Sequence, residues 1–75
     1  MFEEKVFLPG NFLLAVSFRS PANFLLSLAR DGGPLVEYRP GSRLVRGRRM
    51  PYEFRSVEKL RYDFEKDAKD AQHQG

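Results

Sequence analysis

Ser20-Pro21-Ala22-Asn23-Phe24-Leu25-Leu26-Ser27-Leu28-Ala29-Arg30-Asp31-Gly32-Gly33 is the stretch on which the fold turns. Read as a helix, it has Ser20 as its cap, Pro21 at the first helical position and Gly32 as its stop. Its alanines, leucines and serines favour that reading, being poor strand formers. Read as a strand, it runs between two turns, and Asp31-Gly32 is a strong hairpin signal because both residues accept positive φ. The rest of the chain decides for the strand. Turn residues recur at Pro9-Gly10-Asn11, Ser20-Pro21, Asp31-Gly32-Gly33, Pro40-Gly41-Ser42 and Pro51, with six to nine residues between them. Short segments punctuated at this spacing mark an antiparallel meander. Asn11-Phe12-Leu13-Leu14 and Asn23-Phe24-Leu25-Leu26 also echo each other at an offset of twelve, each after a turn, which favours one conformation for both.

The expected fold class is therefore α+β: an antiparallel β-meander of four to five short strands followed by one C-terminal amphipathic α-helix. The strands fall near residues 4–8, 12–19, 23–30, 34–39 and 43–50. The alternative keeps residues 21–31 as a second helix, giving ββαββα. The closing helix is clear in either case. Ser56 is a good N-cap, and Val57, Leu60, Phe64, Ala68 and Ala71 follow at spacings of 3, 4, 4 and 3, one apolar stripe over about 57–71. Lys59–Asp63, Arg61–Glu65, Glu65–Lys69 and Lys66–Asp70 are opposite charges at i,i+4 on its wet sides. Residues 1–71 read as a single compact domain and 72–75 as a frayed tail.

At 75 residues, with 41% apolar and 13% aromatic side chains, the chain has the composition of a small folded unit. A domain of this size buries only about 60% of its unfolded surface, which leaves little room for a catalytic pocket. Without cysteine it forms no disulfide and no thiolate metal site. The apolar run Phe12–Val16 is far short of the roughly 20 residues that span a bilayer, and Glu3 and Glu4 precede the first lysine, unlike a secretory leader. The expected location is cytoplasmic, with no membrane partner.

Alternation puts Phe12, Leu14, Val16 and Phe18 on one face of the second strand and Leu13, Ala15 and Ser17 on the other. The third strand repeats this with Phe24, Leu26 and Leu28 against Leu25, Ser27 and Ala29. Neither face is polar, so both need cover, and one helix covers only one. The expectation is that the helix lies on the face of smaller residues. The larger face, with Phe12, Leu14 and Val16, is then left to a second copy of the chain or another protein. Tyr62, about 140° from Val57 on the helical wheel and away from the apolar stripe, is a further candidate contact residue.

The charge is uneven. Residues 39–55 hold six arginines (Arg39, Arg43, Arg46, Arg48, Arg49 and Arg55) against Glu53, a local net of +5 within a chain of net +3. Such a block favours phosphate-rich or acidic partners, and arginine forks onto phosphate and stacks on bases. With Tyr52 beside them, these residues are the candidate site for a nucleic acid or an acidic partner. Charge on a strand also blocks edge-to-edge pairing, which would explain the same residues without a ligand.

No catalytic constellation is visible. The sole histidine, His73, falls in the expected tail, the helical carboxylates have basic neighbours, and the glycines lack the strand–glycine–helix setting of a nucleotide loop. Catalytic, metal and cofactor sites are therefore expected to be none, and no small-molecule substrate is implied. The chain reads as a small non-enzymatic binding protein. It is either a protein-binding inhibitor or adaptor of the type carried by phages and mobile elements, or a nucleic-acid-binding module using the arginine-rich segment. The alternative is a structural subunit of a homo-oligomeric assembly, a homodimer being the simplest.

Overall fold

A computed structural model describes residues 2–74. Six strands form one antiparallel meander in sequence order: β1 (Phe2–Leu8), β2 (Phe12–Ser20), β3 (Asn23–Arg30), β4 (Gly33–Arg39), β5 (Gly41–Val45) and β6 (Arg48–Tyr52). The helix α1 (Val57–Gln74) follows. The α+β meander with one C-terminal helix is thus the fold, and Asn23–Arg30 is a strand, which removes the two-helix alternative.

The expected fifth strand over 43–50 is two strands. Arg46 (φ 53°) and Gly47 (φ 85°) form a two-residue turn, closed by Val45 opposite Arg48. It has the same signs of φ as Asp31 (52°) and Gly32 (83°) between β3 and β4, the pattern of a type I′ hairpin turn. The turn is tied to the sheet by the Arg46 N–H, which donates to the Leu35 carbonyl at 2.8 Å.

A second correction concerns the helix. It lies on the face of the larger side chains, not the smaller. Phe12, Phe24, Leu26, Leu28, Val36 and Tyr38 from the sheet and Leu60, Phe64, Ala68 and Ala71 from α1 form one buried core. The physical reason is area: covering phenylalanines and leucines removes more apolar surface from water than covering Ala15, Ser17, Ser27 and Ala29. The alanines belong to α1 instead, where they let its second half lie close against the sheet. This docking also carries the helix past residue 71: Ala71 is buried and Gln72 half-buried, so residues 72–74 continue the helix and do not form a tail. Gly75 lies outside the described residues.

At its start, α1 is capped as its sequence predicts. The Lys59 N–H donates to Ser56 Oγ at 3.1 Å, satisfying one free donor of the first turn. The four residues before the helix are pinned by Phe54, whose ring packs against Phe18 and Phe24 at centroid distances of 6.0 and 5.8 Å.

Candidate functional site

Two tyrosines decide where the helix sits. Tyr38, next to the end of β4, points toward α1 and is fully buried. Its hydroxyl donates to Asp67 Oδ2 and accepts from Arg43 Nη1 at 3.0 Å. On β6, the Tyr52 hydroxyl donates to Asp63 Oδ2 at 2.9 Å, and Lys59 Nζ holds the same carboxylate at 3.0 and 3.2 Å. The two rings meet edge to face at 4.8 Å, and Phe64 stands edge-on to Tyr38 at 5.8 Å. Asp63 and Asp67 are i,i+4 neighbours, so one flank of α1 is clamped to β4 and β6 at two levels.

These environments are electrostatically marked. Burial, then the Tyr52–Asp63 hydrogen bond, pushes the Tyr52 hydroxyl up to about 12. Burial and the bond to Asp67 raise Tyr38 further above its ordinary value. Burial works to raise the Asp63 carboxyl, but hydrogen bonds from Lys59 and Tyr52 outweigh it and hold it below the usual range. The network fastens one layer to the other.

Because the clamp is one-sided, α1 packs most closely on β4 and leaves the β1–β2 side of the same face open. A groove of about 260 Å³ remains there, lined by Phe2, Val16, Phe18, Leu26, Val57 and Leu60, with Arg61 also in its wall. A smaller cleft of about 90 Å³ adjoins it, where Glu4, Leu14 and Glu65 join Arg61. The groove walls are almost wholly carbon. Phe2 and Val57 stay 48% and 40% exposed at its rim, and Arg61 makes no ion pair among the described residues. Small-molecule sites usually exceed about 300 Å³ and add convergent polar groups, so this groove suits an apolar side chain better than a substrate.

The expected protein-contact residues are split by this arrangement. Phe12 is only 6% exposed, under α1 and covered by the Arg30 guanidinium at 4.9 Å from its ring, so it is core and not interface. Leu14 and Val16 are half-buried; Val16 lines both clefts and Leu14 the smaller one. Tyr62, 64% exposed, stands apart from them and lines neither cleft. Phe2, Val57 and Arg61 were not legible as groove residues. Val57 belongs to the apolar stripe, and only its place beyond the cover of the sheet reveals its role.

The arginine block is dispersed as well. Arg43 stands opposite Tyr38 on the helix side and belongs to the clamp, as does Tyr52, so both are engaged within the fold. Arg39 pairs with Glu37 at 2.7 Å and Arg55 with Glu53 at 3.6 Å. Arg49, opposite Leu44, donates to Ser42 Oγ at 3.2 Å. Arg46, Arg48 and Arg49 gather at the β5–β6 hairpin end and make no ion pair among the described residues. β6 is one of the two edges of the sheet, where Arg48, Arg49 and Pro51 discourage pairing with another strand.

Among the described residues no helix is long and apolar enough to cross a membrane. No known protein family, curated protein or solved structure matches the chain.

Proposed function

We propose that this is a cytoplasmic, non-enzymatic protein-binding module that receives an apolar side chain of its partner in the groove between β1–β2 and α1. One observation carries this reading: the carbon-walled groove held open by a helix that is fastened along its other flank. A fixed pocket of this kind, with an arginine at its wall, has the make-up of a protein contact: an apolar centre with a charged rim. The loss of Arg43 and Tyr52 to the clamp weakens the nucleic-acid reading, which keeps Arg46, Arg48 and Arg49 as its support.

Affinity capture with the full chain separates the two. The variants are Phe2→Lys with Val57→Lys, at exposed positions of the rim, and Arg46→Ala with Arg48→Ala and Arg49→Ala. The expected result is a partner that survives nuclease, is lost with the rim variant and is retained with the arginine variant. A partner released by nuclease, or lost only with the arginine variant, overturns the reading in favour of nucleic acid. Binding to DNA or RNA would then weaken steeply with salt.

A further inference from the structure

The two edges of the meander are built differently. β6 is five residues long and carries Arg48, Arg49 and Pro51. β1 is seven residues long, contains no proline or glycine, and keeps apolar side chains in the open, with Phe2 48% and Phe7 83% exposed. Native sheets usually blunt such an edge or pair it. β1 carries charge as well, at Glu3, Glu4 and Lys5, but of both signs, so a strand of the right sequence can pair with it.

The sequence of β1 indicates what pairs with it. When two β1 strands meet antiparallel about a two-fold axis and extend the sheet, residues of the same parity stand opposite, because only then do both sets of side chains keep their faces. The axis then passes through a residue. With the axis at Glu3, that residue faces its own copy and Lys5 finds no carboxylate. At Lys5, the lysines face each other. At Val6, Lys5 faces Phe7. With the axis at Glu4, Glu3 stands opposite Lys5 twice, and Phe2 stands opposite Val6 twice. Of these registers this one alone sets opposite charges against each other, and on the other face it pairs Phe2 with Val6 while Glu4 faces its own copy. Glu4 meets its copy on the axis, on the face where Arg61 lines the same cleft and lacks a carboxylate partner of its own.

We infer that the chain forms a two-fold dimer through β1, with Glu3 of each copy opposite Lys5 of the other and Glu4 on the axis. The product is a continuous twelve-stranded sheet with both helices on one face. The two grooves then open toward each other across the seam, so the dimer offers two contact points to one partner. The inference is independent of what the groove binds. Two five-residue edges bury far less than the roughly 1,200 Å² of a standard interface, so the association is weak and concentration-dependent.

Sedimentation equilibrium of the full chain up to about 0.3 mM tests it. Wild type is expected to pass from monomer to dimer and stop there. Glu3→Lys and Lys5→Glu each place like charges opposite one another at both ends of the seam and should weaken the dimer at least about tenfold. Two outcomes then depend on the register itself. The double variant Glu3→Lys with Lys5→Glu should dimerise again, and an equimolar mixture of the two single variants should form a mixed dimer. Circular dichroism of each variant, altered only at exposed positions, confirms that the fold is kept. A monomeric wild type, single variants that dimerise like wild type, or failure of both restorations would overturn the dimer.

Discussion

Tyr38 and Tyr52 do at the residue scale what the chain is too short to do by core volume alone. Each carries its ring into the core and its hydroxyl to a helical carboxylate, so burial and hydrogen bonding act on the same side chain. Removing the hydroxyl leaves a half-buried carboxylate short of a donor. Tyr38→Phe is therefore expected to cost about 1.5–3 kcal/mol in urea unfolding, and the more exposed Tyr52→Phe about 1 kcal/mol. The pH dependence follows from the raised hydroxyls. In the unfolded chain a tyrosine ionises at its ordinary value of 10.0, while Tyr52 in the fold holds its proton to about 12. Between these values the unfolded state binds fewer protons than the folded one, so stability falls as pH rises. The contribution is whole below 10.0 and gone above about 12. At the acid end, Asp63 contributes above its ordinary 3.8 and ceases to as pH falls through its lowered folded value. Urea midpoints measured from about pH 9 to 11.5 should drop more steeply for wild type than for the double Tyr38→Phe, Tyr52→Phe variant. Parallel curves would contradict the roles given to both hydroxyls.

Among the elements, the hairpins show what a sequence discloses and what it conceals. Asp31-Gly32 announces its turn because both residue types tolerate positive φ, and β3–β4 is where that signal placed it. Arg46-Gly47 makes the same turn, yet its first residue is one that the left-handed region disfavours, so the stretch 43–50 reads as one strand with a glycine in it. Gly47 was the available signal, since an isolated glycine in a strand pattern marks a break or bulge. The turn matters for the candidate site: one strand over 43–50 would put Arg43 and Arg49 on the same face, whereas the hairpin puts Arg43 on the helix side and Arg49 on the other. Arg46 at φ 53° also leaves stability unused. Arg46→Asn is expected to raise stability by about 0.5–1 kcal/mol, and Gly47→Ala to lower it by about 1–2 kcal/mol, both read from urea midpoints. Equal stability of the three proteins would contradict the turn. The helix was legible for a simpler reason. Ser56, Leu60, Phe64, Ala68 and Ala71 are local in sequence, and the cap and stripe need no knowledge of the sheet.

For the molecule as a whole, the sequence poses a question that only the packing answers. Two greasy sheet faces and one helix leave one face uncovered, and the strands do not say which. Total burial selects the larger face, so Phe12 becomes core, and Leu13, Ala15, Leu25 and Ala29 on the other face remain half-buried or exposed. The clamp was hidden because Asp63 and Asp67 look like ordinary members of a charged helix until Tyr38 and Tyr52 come opposite them. It holds α1 over β4 and away from β1–β2, and the groove, with whatever it binds, depends on that displacement. Paramagnetic relaxation of methyl groups by a soluble gadolinium chelate reads the displacement most directly. Strong relaxation at Val57, Val16 and Leu14, with Leu28 and Val36 untouched, is the predicted pattern. If Leu14 and Val16 were as sheltered as Leu28, the helix would lie centred over the sheet and there would be no groove to fill.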